Sequence, residues 1–118
     1  MGTSYVAYKG FGFWSRDAFL ESWLKTLLTE MGTLSARQPW QDDLMKYWSI
    51  QSQVDGGVMS LGLDEFLTDV PREEFVLRTA KQALRHSEPA ARRTAELFIR
   101  LLEGKLTTTV RSPIDYLS

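Results

Sequence analysis

Tyr8–Asp17 reads YKGFGFWSRD, with two glycines and three aromatics in five consecutive residues just ahead of an expected helix. In an extended segment side chains alternate between faces, so Phe11 and Phe13 point one way while Gly10 and Gly12 leave the other face bare. The aromatic face is suited to covering helix stripes, and the glycine face to admitting a close neighbour. Ser15 reads as the N-cap of the helix that follows. Trp14 then falls at N′ and Phe19 at N4, the two positions of a hydrophobic staple. The stretch reads as a plug for the chain's own core.

A sharper reading competes with this one. Lys9–Phe13, KGFGF, matches the start of the RNA-recognition-motif signature, in which paired aromatics on a central strand stack on bases. The match breaks at Trp14, where an aliphatic residue is wanted, and at Arg16, where an aromatic is required. That strand should also follow a strand, a helix and a second strand, and here only eight residues precede Lys9.

Working outward, four helical patterns appear. After Ser15, the residues Phe19, Leu20, Trp23, Leu24, Leu27, Leu28 and Met31 form one apolar stripe, with Gly32 placed as a C′ residue. A second helix is expected from Pro39 to just before Gly56, with Trp40, Leu44, Tyr47 and Val54 on its core face and Trp48 on the shoulder. A third runs from Pro71 to Arg85 and buries Val76, Ala80, Ala83 and Leu84. The fourth follows Ser87 and ends at Gly104; its apolar arc of roughly 200° suits a helix packed on two sides. Between the second and third, a glycine-bearing loop is expected to hold one helical turn at Asp64–Leu67. TSYVAY near the start and KLTTTV near the end are rich in β-branched and aromatic residues, and they are expected to pair. The fold expected is mostly α, a four-helix assembly with a small two-stranded β element formed by the termini. Residues 1–118 form a single domain, with 111–118 as a tail.

Composition narrows the function. Hydrophobic residues make up 43% and charged residues 25%, with a formal net charge of -1, so the chain as a whole has no pull toward nucleic acid or acidic membranes. There is no cysteine and one histidine, His86, so the usual zinc sets cannot be assembled. No phosphate loop, dinucleotide glycine pattern or EF-hand spacing occurs. No signal peptide or membrane span is read, and a cytoplasmic location is expected. The chain is read as non-enzymatic, without cofactor or metal.

Two charge clusters remain. Asp64, Glu65, Asp69, Glu73 and Glu74 surround the entry to the third helix, offset by Arg72. Arg78, Lys81, Arg85, Arg92 and Arg93 follow, against Glu88. Acid-first and base-last order partly complements the helix dipole. Glu21–Lys25, Asp42–Lys46, Glu74–Arg78 and Glu96–Arg100 have the four-residue spacing of helix ion pairs, each adding about 0.2–0.5 kcal/mol.

YKGFGFWSRD with its following helix, together with LDEFLTD (Leu63–Asp69), is similar to small bacterial immunity proteins encoded beside polymorphic toxins. The resemblance covers about the first 70 residues. It implies a non-catalytic binder of one protein partner, a toxin, and assigns no binding residues. The contacts expected are Asp64, Glu65, Asp69, Glu73 and Glu74, with Met45 off the second helix's core stripe and Met59 in the loop. The alternative is a nucleic-acid-binding regulator using Arg78, Lys81, Arg85, Arg92 and Arg93. A third is a homodimer sharing the wide arc of the fourth helix.

Overall fold

The computed structural model describes residues 2–53 and 60–106. The opening stretch decides the architecture by turning back on itself. Strands β1 (Thr3–Tyr8) and β2 (Phe11–Arg16) pair antiparallel, with Val6 opposite Phe13 and Ser4 opposite Ser15. Their connection is the two residues Lys9 and Gly10, at φ 52° and 84°. Positive φ at both positions is the signature of a type I′ hairpin, whose twist matches that of paired strands. The sheet is therefore an N-terminal hairpin, not a pairing of the two termini. Lys105 and Leu106 are not strand, and the rest of KLTTTV and the tail lie outside the described residues.

The hairpin has a dry face and an outer face. Val6, Tyr8 and Phe13 are buried on the dry side, with Phe13 fully enclosed. Phe11, at the turn end, is 39% exposed, so only one of the two phenylalanines plugs the core. On the outer face Tyr5 packs on Trp14, ring centroids 5.3 Å apart. Gly12 makes that stack possible, because a Cβ there would meet the Val6 carbonyl and the Tyr5 ring.

Ser15 is not a helix cap. It stays in β2, fully buried, with its hydroxyl 2.9 Å from that of Thr94. Arg16 takes the N-cap position of α1 (Asp17–Gly32), so the Trp14–Phe19 staple is not in register. Leu20, Trp23, Leu24, Leu27 and Met31 form the buried stripe of α1.

Helix α2 (Pro39–Gln51) is rotated from its expected setting. Gln41, Leu44 and Trp48 face inward, while Trp40 and Tyr47 are half-buried and Val54 lies outside the described residues. Two contacts fix the rotation. The Trp48 indole donates to the Leu61 carbonyl at 2.8 Å, and the Gln41 side chain accepts from the Gln38 amide at 2.8 Å as half of a capping box.

Five helices are described rather than four, because the expected turn is a short helix of its own, α3 (Leu63–Phe66). Helix α4 (Val70–Ala83) buries Val76, Thr79, Ala80 and Ala83, then tightens into a 3₁₀ turn at Leu84–His86. A second 3₁₀ turn, Pro89–Ala91, leads into α5 (Arg92–Leu102). Helix α5 runs through the middle, in contact with α1, α4 and both strands. Its wide apolar arc, from Ala95 to Leu102, is buried inside the chain, which removes it as a surface for a second copy. Among the described residues no helix is long and apolar enough to cross a membrane.

Candidate functional site

The rotation of α2 sets Trp40 at the surface, where it meets the first turns of α4. Asp69 caps α4 by accepting from the Arg72 amide at 2.9 Å, which orders the turn that carries Arg72. The Arg72 guanidinium donates to the Phe66 carbonyl at 3.2 Å and lies over the Trp40 ring, 5.0 Å from its centroid. Trp40 in turn meets Phe75 edge to face, centroids 5.5 Å apart. Arg78 closes the row over Phe75 at 5.9 Å. Guanidinium, indole, phenyl and guanidinium thus stand side by side in a groove between α2 and α4, with Gln38 holding the indole N–H at 2.9 Å. Each arginine–ring contact is worth about 0.5–1 kcal/mol at an exposed site, enough to bias the side chains without locking them.

The groove continues along α4. Glu74, Leu77, Arg78, Lys81, Gln82 and Arg85 recur at three- and four-residue steps and line a second hollow that shares Arg78 with the first. Lys81 is committed to Glu103 at 2.9 Å, a bond that also holds the Glu103 carboxyl below its usual range. Arg78 and Arg85 have no carboxylate partner among the described residues, and the expected Glu74–Arg78 ion pair does not form. Of the four expected helix pairs only Glu21–Lys25 is closed, at 2.9 Å; Asp42 pairs with Arg37 instead.

Three residues of the acidic cluster make contacts within the fold. Asp64 accepts from the Lys9 backbone amide at 3.0 Å. Glu73 accepts from the Tyr8 hydroxyl at 2.6 Å and from the Lys9 ammonium at 2.9 Å. Asp69 is the cap of α4. Three of the five acids therefore fasten the hairpin turn and α4 into the fold, leaving Glu65 and Glu74 as exposed carboxylates. Met45 is half-buried against the core, and Met59 lies outside the described residues. Asp64 and Glu73 meet at Lys9, whereas Asp69 and Glu74 line the two hollows along α4.

The basic cluster is divided too. Arg78 and Arg85 line the groove with Lys81, whereas Arg92 and Arg93 open α5 and do not line it. Trp40, Arg72 and Phe75 were not legible as site residues. Trp40 sits in an apolar pattern that also admits a core position. Phe75 carried the one available signal, an aromatic off the Val76–Ala80–Ala83 stripe and three residues before Arg78. Among the described residues no three His, Cys, Asp or Glu side chains converge on a common metal position.

The Glu73 contact has a pH consequence. The Tyr8 hydroxyl first, and the Lys9 ammonium second, hold the Glu73 carboxyl below its usual range. Burial, and then the bond to Glu73, push the Tyr8 phenol well above its own. Because the carboxyl is depressed in the folded state, its contribution is complete above the unfolded carboxylate pKa and is lost as pH falls through the folded value. Stability is expected to drop on acidification below about pH 4, and Glu73→Gln to flatten that part of the profile. Thermal melts against pH check this; parallel curves for the two proteins would contradict it.

No family model, curated protein or solved structure matches the chain.

Proposed function

We propose that the chain is a non-enzymatic protein-binding protein whose contact surface is the groove between α2 and α4. The single observation that supports it is the half-exposed row Arg72–Trp40–Phe75–Arg78. Tryptophan and arginine are the residues most enriched at energetic centres of protein interfaces, because they combine large apolar area with directed polar groups. A core does not need this arrangement, since a guanidinium over a solvent-facing ring leaves apolar area wet.

The resemblance to immunity proteins agrees with such a role and offers a toxin as the partner class. It rests, however, on Tyr8–Asp17 and Leu63–Asp69, and in this chain those stretches are tied to each other through Lys9 and Asp64. Of the residues that carry the resemblance only Asp69 lines the groove, and the proposed binding surface rests on Trp40, Arg72, Phe75 and Arg78.

Affinity capture from a lysate of the source organism, with nuclease added, tests the reading. Wild-type protein is expected to retain one stoichiometric protein that Arg78→Glu does not, although both melt alike. Capture that disappears with nuclease would favour the nucleic-acid alternative. A partner held equally by both proteins would remove the groove as the contact surface.

A further inference from the structure

The groove's charge arrangement says something about what it holds, given the protein-binding reading above. Arg78 in α4 and Arg85 in the 3₁₀ turn that continues it line the same hollow, seven residues apart, two helical turns or about 10 Å. Neither is neutralised by a carboxylate among the described residues, while the neighbouring Lys81 is. Between and beside them lie apolar surfaces: Leu77 within the same hollow, and the Trp40 and Phe75 rings in the adjoining one. Removing a guanidinium from water is costly unless a partner supplies acceptors, and carboxylates meet it with paired, charge-assisted bonds.

We propose that this groove binds an acidic peptide segment of a partner protein, one that places carboxylates on Arg78 and Arg85 and an apolar side chain against Trp40, Phe75 or Leu77. Nucleic acid fits the same surface less well. Asp69 and Glu74 line the groove among the arginines, so a continuous phosphate chain would meet repulsion that a peptide avoids with one neutral or basic residue. Among the described residues the other bases do not extend the stripe: Arg92 and Arg93 lie outside it, Arg72 stands beside Asp69 at 3.8 Å and Lys81 is paired with Glu103. A peptide uses both parts of the groove, charge and apolar floor.

The test is a selection with a randomised library of short displayed peptides on the full chain, as wild type and as the Arg78→Glu/Arg85→Glu variant. Wild type is expected to enrich peptides that combine Asp or Glu with Leu, Phe or Trp. Those peptides, made synthetically, should bind the double variant at least about tenfold more weakly, one charge-assisted contact's worth. The variant should instead enrich Lys and Arg. Both arginines are exposed, so the variant is expected to fold, and melting curves matched to wild type are the check.

Selected peptides without acidic enrichment would overturn the proposal, as would peptides that bind both proteins equally. So would an empty selection, or displacement of the peptides by a single-stranded oligonucleotide that binds more tightly. A Trp40→Ala arm separates the two levels of inference. Non-acidic peptides that nonetheless depend on Trp40 would leave the groove a protein-binding surface and remove only its acidic preference. Peptides indifferent to Trp40 and to both arginines would remove both.

Discussion

Replacing Phe13 by alanine is expected to cost about 3–5 kcal/mol of folding stability, the range for deleting a buried aromatic side chain. Phe13 is fully enclosed opposite Val6, on the hairpin face that packs against α1 and α5. Whole domains have only about 5–15 kcal/mol to lose, so the variant should be marginal at physiological temperature. Trp14→Ala is the informative companion. Trp14 sits on the outer face, half-buried on Tyr5, and its loss should cost clearly less. Urea melts of the two variants measure the difference. If Phe13→Ala melts like wild type, the hairpin is not part of the core. If Trp14→Ala is the worse of the two, the faces of β2 are assigned the wrong way round.

The second large effect is expected at Trp48. Its ring is fully buried, 6.3 Å from Phe98 centroid to centroid and near perpendicular. Its indole N–H also satisfies the Leu61 carbonyl. Trp48→Ala should again cost about 3–5 kcal/mol. Trp48→Phe separates the bond from the volume, since it keeps a ring but orphans the Leu61 carbonyl, a penalty of about 1–3 kcal/mol. Trp23 supplies the control. It is equally buried, but its indole N–H has no hydrogen-bond partner among the described residues, so Trp23→Phe removes volume together with an unsatisfied donor. Chemical denaturation should therefore rank Trp48→Phe as more damaging than Trp23→Phe. The reverse order would mean that the bond to Leu61 does not fix α2.

These two residues also mark where the sequence stopped being readable. The stripe of α1, the wide arc of α5 and the α4 face all follow from single, unambiguous periodicities. The β element did not. Lys9-Gly10 lacks the Asn or Asp that usually announces a type I′ turn, and a lysine seldom takes a left-handed φ. Asp64 receives the Lys9 amide from 55 residues away, a contact that no local pattern encodes. Helix α2 was ambiguous for another reason. Trp40, Leu44, Tyr47 and Trp48 satisfy two helical faces that differ by a small rotation, and the choice between them lies in one indole's bond to Leu61.

The candidate site inherits that ambiguity. With Trp40 assigned to the core, no aromatic remained to pair with Phe75, and the arginines of α4 looked like an ordinary solvated face. The acids stood out by composition alone, and composition cannot distinguish a carboxylate that meets a partner from one that holds a hairpin. Tyr8, Lys9 and Glu73 make the second kind of contact.

The most direct measurement is an NMR titration of the four tryptophan indole N–H resonances with the captured partner or a selected peptide. Trp23 and Trp48 are sealed in the core, Trp14 lies on the hairpin's outer face, and Trp40 forms part of the groove wall. The Trp40 resonance should shift on binding, and those of Trp23 and Trp48 should stay in place. A bound partner that leaves Trp40 unmoved, or that shifts Trp14 in its stead, would contradict the assignment of the α2–α4 groove as the binding surface.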